Sequence, residues 1–485
     1  MRTTLAFVGA LTLTGIADNA GGATTKGCRA PEEAPPPANC PPLPQTARCG
    51  GYRCFFISPC HGDDRTGDGS LRRPWKSFRW LTHAGDESQP RAMELRAGDV
   101  VQVVDGTIDQ SFGAGDGTRA LFTAHRVRGR ADAPITFKAF SGRTPVLDPG
   151  RDGVGLRLLQ TSHVVVEGLS VRNACGHGIS IEKSQSVTLR NVRVSATDGL
   201  DRVEVAGVHV SSSRDVRIDG GQFFDNFDRD AVDTDGEATD NSGNVVFVGG
   251  RNASVRNAHL FNTLGNDRSG YCLKYKRASK DPAATFEVVG NRFDNCSFFA
   301  VSSGTQNTLV SDNLIVGGAG LVSQDNGALT HQSNQRFVHN TLYLEGPGLE
   351  IEMTDAHRTL EFPKDPTGLV FSHNIVVDLR AFYLSDEGIV EIEALASAPR
   401  LKRDDTLRLM SNCYSNVRTA ARFAFSASPG VRRSAYDIFD WKALGYDEGS
   451  VLANPTFVDL YASDFRLTSD SACQGLGTRV FRRIE

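Results

Sequence analysis

Two stretches of the chain concentrate the residues that could do chemistry. Between positions 225 and 240 stand Asp225, Asp228, Asp230, Asp233, Asp235, Glu237 and Asp240, the densest acidic cluster in the sequence. Further along, Arg268, Lys274, Lys276, Arg277 and Lys280 gather positive charge. Hard cations such as calcium take several oxygen ligands, and a turn with its adjoining strand can supply carboxylates together. The cluster is not an EF-hand loop, because its Asp spacing, its glycine and its distal Glu are out of register. A cation held by Asp228, Asp230, Asp233 and Asp235 beside a lysine or arginine has the composition needed to remove a proton α to a uronate carboxylate. The metal neutralises that carboxylate, and a neutral Lys274, Lys276 or Arg277 takes the proton. His209, Arg268 and Lys280 are the candidate substrate contacts. The plainer readings are a solvated acidic turn, or a calcium that only stabilises the fold, and a surface salt-bridge face of little energetic weight.

These residues need a frame, and a recurring phrase supplies it. It reads VTLRNVRV at 187–194, VRIDGGQF at 216–223, FEVVGNRF at 286–293, TLVSDNLI at 308–315 and RFVHNTLY at 336–343. Each copy is two short alternating strands around a polar Asn, Gly or Asp turn, followed by a third strand such as GISIEK, GVHVSS, AVDTDG, FAVSSG or GLEIEM. The unit returns every ~20 to 40 residues, which points to a solenoid. With three short strands per repeat and no helical period, the expected fold is all-β, a single-stranded right-handed parallel β-helix with an N-terminal cap. Alternation then places Ile179, Ile181, Val208, Val210, Leu273, Tyr275, Phe299, Val301, Leu349 and Ile351 in the core. The outward ladder reads Ser180 and Glu182, His209 and Ser211, Asp233 and Asp235, Lys274 and Lys276. On this register the aspartate pair and the lysine pair are direct neighbours, about 4.8 Å apart.

The rest of the chain sets bounds. A solenoid can use all 485 residues as one unit, and a formal net charge of -4 argues against a general nucleic-acid binder. Residues 1–23 read as a signal peptide, with Arg2 before the apolar run LAFVGALTLTGI, which is too short to span a bilayer. The expected protein is a secreted, extracellular or periplasmic monomer without membrane insertion. Ten cysteines suit an oxidising compartment, and five of them (Cys28, Cys40, Cys49, Cys54 and Cys60) crowd the Pro-rich N-terminal region. Disulfide stapling is favoured there over a zinc site, since the spacings match no zinc pattern. Cys272 and Cys296 flank the lysine strand and are expected to form a local disulfide. The organisation read from this is a Pro/Cys-rich segment at 24–54, a cap and first coils at 55–150, the β-helix at 151–430, and a C-terminal helix and closing segment at 431–485. A strand, a turn and a short helix form the expected cap, HRTLEFPKDPTG is read as a loop, and SAYDIFDWKALG as a helix.

The stretch FFISPCHGDDRTGDGSLRRPWKSFRWLTHA followed by GDVVQVVDGTI, and the closing NPTFVDLYASDFRLTSDSACQGLG, resemble the opening and closing phrases of the pectate-lyase-like right-handed parallel β-helix superfamily. That resemblance covers most of the mature chain and implies the fold, while its members include lyases, hydrolases, epimerases and non-enzymes. The two charged clusters are similar to the calcium-dependent pectate lyases that use a lysine base. Asp228, Asp230 and Asp233 match acidic positions of their calcium segment, with Arg229 and Ala231 departing from it. Leu273, Lys274 and Tyr275 match the apolar-Lys-apolar phrase of the base. The Lys/Arg alginate lyases are a second resemblance, but AVSSG stands where their arginine is expected. Gly176, His177 and Gly178 spell the GHG of polygalacturonase-type hydrolases in reversed order relative to the acidic motif, so His177 is read as a turn residue. The resemblance implies a calcium-assisted lyase acting on an acidic polysaccharide, pectate-like or alginate-like. A glycoside hydrolase using the Asp carboxylates, or a non-catalytic glycan-binding solenoid, are the alternatives.

Overall fold

A computed structural model describes residues 40–81, 93–113, 118–199, 205–227, 242–263, 271–276, 281, 283–296, 298–300, 307–317, 320–322, 334–344, 359–362, 368–378, 381–385, 407–415, 422–426, 435–436, 438–443 and 445–479. Among these, the strands pair in parallel from coil to coil and form three long sheets. The first sheet runs from Cys54–Ile57 to Leu407–Met410, the second from Thr107–Ile108 to Val451–Leu452, and the third from Phe112–Gly113 to Ala435–Tyr436. The two end pairs of the third sheet are antiparallel, as is a separate pair, Phe457–Asp459 with Asp464–Leu467. The fold is a right-handed parallel β-helix, as the repeats imply.

Apolar columns hold the sheets together. Leu156, Ile179, Val208, Val245 and Leu273 stack in register and are fully removed from solvent. Beside them run Leu158, Ile181, Val210, Phe247 and Tyr275. The first and second sheets contribute Val166, Leu189, Ile218 and Val255, and Val171, Val194, Phe223 and Leu260. Each such side chain contributes about 1.5–3 kcal/mol when fully buried.

The corner between the first and second sheets explains the polar turn in the repeat. Two residues fill it, as in Asn191 and Val192, Gly290 and Asn291, Asp312 and Asn313, or His339 and Asn340. The first adopts a left-handed conformation, φ +49° at Asn191, +69° at Gly290 and +55° at Asp312, which Gly, Asn and Asp accept most readily. The second points inward. From Asn291 onward it is a buried asparagine whose Nδ2 donates to the Oδ1 of the next: Asn313 (3.0 Å), Asn340 (2.9 Å), Asn374 (3.1 Å) and Asn412 (3.2 Å). Asp447 closes this ladder, accepting from Asn412 Nδ2, Tyr414 Oη, Trp441 Nε1 and Ser450 Oγ. Burial pushes the Asp447 carboxyl up despite these donors.

Both ends are covered. At the N-terminal end Phe78 stacks on Phe122 at 4.6 Å, and Phe55 on Trp75 at 5.6 Å. Residues 70–81, which follow the Gly/Asp-rich turn, are turns and isolated bridges rather than the expected short cap helix, and 82–92 lie outside the described residues. At the other end the expected helix is present as α1, Ile438–Ala443, burying Ile438 and Trp441. Disulfides join Cys40 to Cys60, Cys49 to Cys54, Cys272 to Cys296 and Cys413 to Cys473, and Cys175 is also disulfide-bonded. The Cys272–Cys296 bond matches the expectation.

Two expectations about third strands are corrected. The strand between Ala206–Ser211 and Tyr271–Lys276 is Gly243–Val248, so AVDTDG does not hold that place. The strand paired with Gly320–Val322 and Ala381–Ser385 is Thr359–Phe362, within the stretch read as a loop, so GLEIEM does not hold that one. Segment 345–358, with Leu349 and Ile351, lies outside the described residues, as does Val301.

Candidate functional site

Because core positions alternate with outward ones, the third sheet sets a ladder of residue positions in register along its outer face. One column reads Thr123, Arg157, Ser180, His209, Val246, Lys274 and Ala300. The next reads His125, Leu159, Glu182, Ser211, Val248 and Lys276. Lys274 therefore stands between Val246 and Ala300, and the expected neighbours Asp233 and Asp235 are replaced by Val246 and Val248. The physical reason is that GNVVFV buries Val245 and Phe247 in the core columns, which DTDG could not do.

Lys274 is only 8% exposed. Its Nζ lies 4.0 Å from the centroid of the Tyr271 ring, an aromatic face that attracts a cation. The buried disulfide Cys272–Cys296, with Cα atoms 5.4 Å apart, fixes the strand two residues before it. Lys276 is placed by backbone register opposite Val248. Arg268, Arg277 and Lys280 lie outside the described residues, as do Asp228, Asp230, Asp233 and Asp235. In sequence these four aspartates precede strand Gly243–Val248, whose Gly243 pairs with Tyr271. Among the described residues no three of His, Cys, Asp and Glu gather as metal ligands.

The coils before Lys274 carry a tight polar group that the sequence reading did not assemble. Arg157 Nε and Nη2 donate to the two carboxylate oxygens of Glu182 at 2.8 and 3.0 Å, and Ser180 Oγ donates to the same carboxylate at 2.8 Å. Burial pushes the Glu182 carboxyl up, but Arg157 and Ser180 outweigh it and hold it below the usual range, so it is ionised at neutral pH. His209, an expected substrate contact, is half-buried beside Ser180.

His177 is not a turn residue but the first residue of strand His177–Glu182. Its ring stacks on His209 at 4.2 Å, with the planes 5° apart. Each of the two histidine strands contains a glycine, Gly178 and Gly207, where packing leaves no room for a side chain. A Cβ at Gly178 would come within 2.4 Å of Val194 Cγ1, and one at Gly207 within 2.6 Å of Asn226 Nδ2. Burial holds the His177 imidazole well below its ordinary range, with the positive charge of His209 and Arg157 adding to the effect. The signal for Arg157 was available in VGLRLL, where alternation turns it outward between Leu156 and Leu158. Its partner Glu182 was already on the ladder.

The face thus offers a buried lysine over an aromatic ring, a stacked histidine pair with one ring held neutral, and an ionised carboxylate locked to a guanidinium. Such a set can orient a polar, charged chain lying along the helix axis and move a proton at Lys274 Nζ once that amine is neutral.

Comparison with known proteins bears on the fold. Residues 154–343 match the family model described as right handed beta helix region. No curated protein matches the chain. Among solved structures, a PL6 family polysaccharide lyase from Pseudopedobacter saltans is similar at 12% identity and a TM-score of 0.41, over 79% of this chain and 95% of its own. A rhamnogalacturonan lyase is similar at 14% identity and 0.39, over 66% and 87%. A GH136 lacto-N-biosidase from Eubacterium ramulus is similar at 12% and 0.33, over 82% and 68%. These distant likenesses fix no chemistry. The resemblance to the pectate-lyase-like β-helix superfamily holds at the level of fold.

Proposed function

We propose that this chain is a secreted polysaccharide lyase that cleaves a uronate-containing glycan by β-elimination, with Lys274 as the base. The observation that carries the reading is the placement of Lys274: a lysine buried on the outward face of a long parallel sheet, braced by Tyr271 and by the strand that Cys272–Cys296 fixes. A lysine that only solubilises a surface has no need of such a setting. Asp228, Asp230, Asp233 and Asp235 are the proposed calcium ligands, on the chemistry of the donor set alone, since hard cations prefer carboxylate oxygens. When bound, calcium would neutralise the uronate carboxylate and so acidify the α proton.

This chain's own residues would divide the remaining work. The abstracted proton moves from the uronate carbon to Lys274 Nζ, the C–H pair becomes the double bond, and the glycosidic oxygen leaves with the C–O pair and takes a proton from water. His209 and neutral His177 would contact the sugar. Glu182, ionised and engaged with Arg157, would hold that guanidinium in place. A retaining or inverting hydrolase instead needs two carboxyl groups facing each other across the bond. From Thr123 to Lys274 the described side chains of these two columns include one carboxylate, Glu182, and Glu361 stands by backbone register three coils beyond Lys274. Disulfides suit an oxidising compartment, and among the described residues no helix is long and apolar enough to cross a membrane.

The test is incubation with polygalacturonate, alginate and other acidic polysaccharides, with and without chelator. A lyase generates unsaturated ends absorbing in the near ultraviolet. Lys274→Ala should lose at least about a hundredfold in rate, the usual weight of a general base, with its melting transition preserved. Retention of most activity by Lys274→Ala on a confirmed substrate would remove it as the base, and reducing ends without ultraviolet absorption would replace elimination by hydrolysis.

A further inference from the structure

At the corner where the third sheet hands the chain to the first, successive coils form a groove of about 830 Å³. Its floor is a ladder of hydroxyls, with Thr161 N donating to Ser184 Oγ and Ser184 N to Ser213 Oγ, each at 3.0 Å. One wall is a row of residues in the left-handed conformation, among them Arg126 (φ +56°), Gln160 (φ +54°) and Lys183 (φ +49°). The other wall contains Arg128, Gln185, Arg214 and Arg251, aligned by strand register or by an isolated bridge through Ser162.

The charges in this groove are arranged rather than scattered. Arg126, Arg128, Lys183, Arg214 and Arg251 line it, with no carboxylate and no aromatic ring among the described lining residues. Two of these guanidinium groups are oriented by neutral amides: Arg126 Nε donates to Gln160 Oε1 at 3.1 Å, and Arg214 Nε to Gln185 Oε1 at 2.9 Å. A neutral acceptor fixes direction without cancelling charge, so the positive field remains available to a ligand. Arg251 differs, since it pairs with Asp281 at the groove's far end. From Arg128 to Arg251 there are four inter-strand steps, so the cations extend over roughly 19 Å at about 4.8 Å per step.

We propose that this corner groove is a second glycan site that binds an extended anionic polysaccharide along the helix axis, away from Lys274. Cations at intervals suit the carboxylates of such a chain, while the amides and hydroxyls between them suit its hydroxyl groups. Single-stranded nucleic acid is the less suited polyanion, because its bases need aromatic platforms and the lining offers none. The choice of uronate as the anion rests on the function proposed above, whereas the groove's affinity for a polyanionic chain does not depend on Lys274.

The experiment is affinity electrophoresis of the full chain through gels containing polygalacturonate, alginate or neutral dextran, beside turnover of a short uronate oligosaccharide. Retardation is expected in the acidic gels and not in dextran. Lys183→Gln with Arg214→Gln, and separately Arg128→Gln with Lys183→Gln, should weaken retardation by about tenfold, with unchanged melting and oligosaccharide turnover. Retardation equal to wild type in both variants would overturn the site. So would equal displacement by a single-stranded oligonucleotide of matched charge, which would make the groove an unselective polyanion trap. If no uronate substrate is ever cleaved yet retardation follows these variants, the catalytic proposal fails and this one stands.

Discussion

Replacing Arg157 by leucine tests whether the polar group on the third sheet is a held ion pair. The substitution keeps an apolar stem against the sheet and removes both hydrogen bonds to Glu182, at 2.8 and 3.0 Å. Ser180 remains as a donor, and the Glu182 side chain is 26% exposed, so water compensates part of the loss. Breaking a fully buried pair costs about 3–5 kcal/mol, and partial exposure brings the expected cost at pH 7 to about 2 kcal/mol. The pH dependence carries the sharper signature. In the wild type the folded-state pKa of Glu182 lies below its unfolded value, so its contribution is present above the unfolded pKa and is lost as pH falls through the folded one. Without Arg157 the burial that pushes the carboxyl up is less opposed. The variant should therefore lose less stability than the wild type on acidification from pH 7 toward pH 4. Urea unfolding of both proteins at several pH values, with disulfides intact, measures this. A destabilisation that is the same at every pH would refute the ion-pair reasoning and leave only lost packing.

Other outcomes follow from the same geometry. Asn340→Ala should destabilise by about 3 kcal/mol in urea unfolding, because it leaves Asn313 N and Nδ2 and the Val310 carbonyl without their buried partner; a change below about 1 kcal/mol would mean the ladder relaxes or admits water. His177→Phe should keep the stack on His209 while removing a titrating group. The folded His177 pKa lies well below 6.5, so the wild type loses stability as pH falls from above 6.5 toward the folded value, and the variant should show a flatter melting temperature between pH 7 and 5. If Lys274 is the base, the rate on a confirmed uronate substrate should rise with pH until the amine is neutral, and a profile flat above pH 6 would speak against it.

Much of the fold was legible because the sequence repeats its physics. In VTLRNVRV, alternation marks two strands, and Asn191 marks the left-handed corner between them, where its φ is +49°. Ile179, Val208 and Leu273 are buried as alternation required. The strand beside Lys274 was misassigned for an equally physical reason. AVDTDG alternates on paper, whereas GNVVFV does not, since Val246 faces outward yet is itself fully buried. Thr359–Phe362 was hidden by flanking Pro and Gly in a stretch that reads as a loop. His177 was obscured because Gly178 breaks the simple period at the strand's start. The corner groove left almost no trace, because its charges come from four coils that are neighbours only after folding.

The contrast between the chain's corners has a consequence for how such a protein can change. From the coil of Ser162–Glu167 and Ser170–Arg172 onward, two residues suffice between the first and second sheets in every described coil, and an added one would turn the side chains of the strand that follows to the opposite face. Between the second and third sheets the spacing is free, from Asp294 to Phe298 in one coil and from Phe224 to Gly243 in another. Lengthening such a connection costs only about 0.6 kcal/mol per doubling. The molecule has a keel that resists insertion and a gunwale that accepts it. Because the open side borders the strand bearing Lys274, sequence drift there can reshape which chain is held without disturbing the hull that holds it.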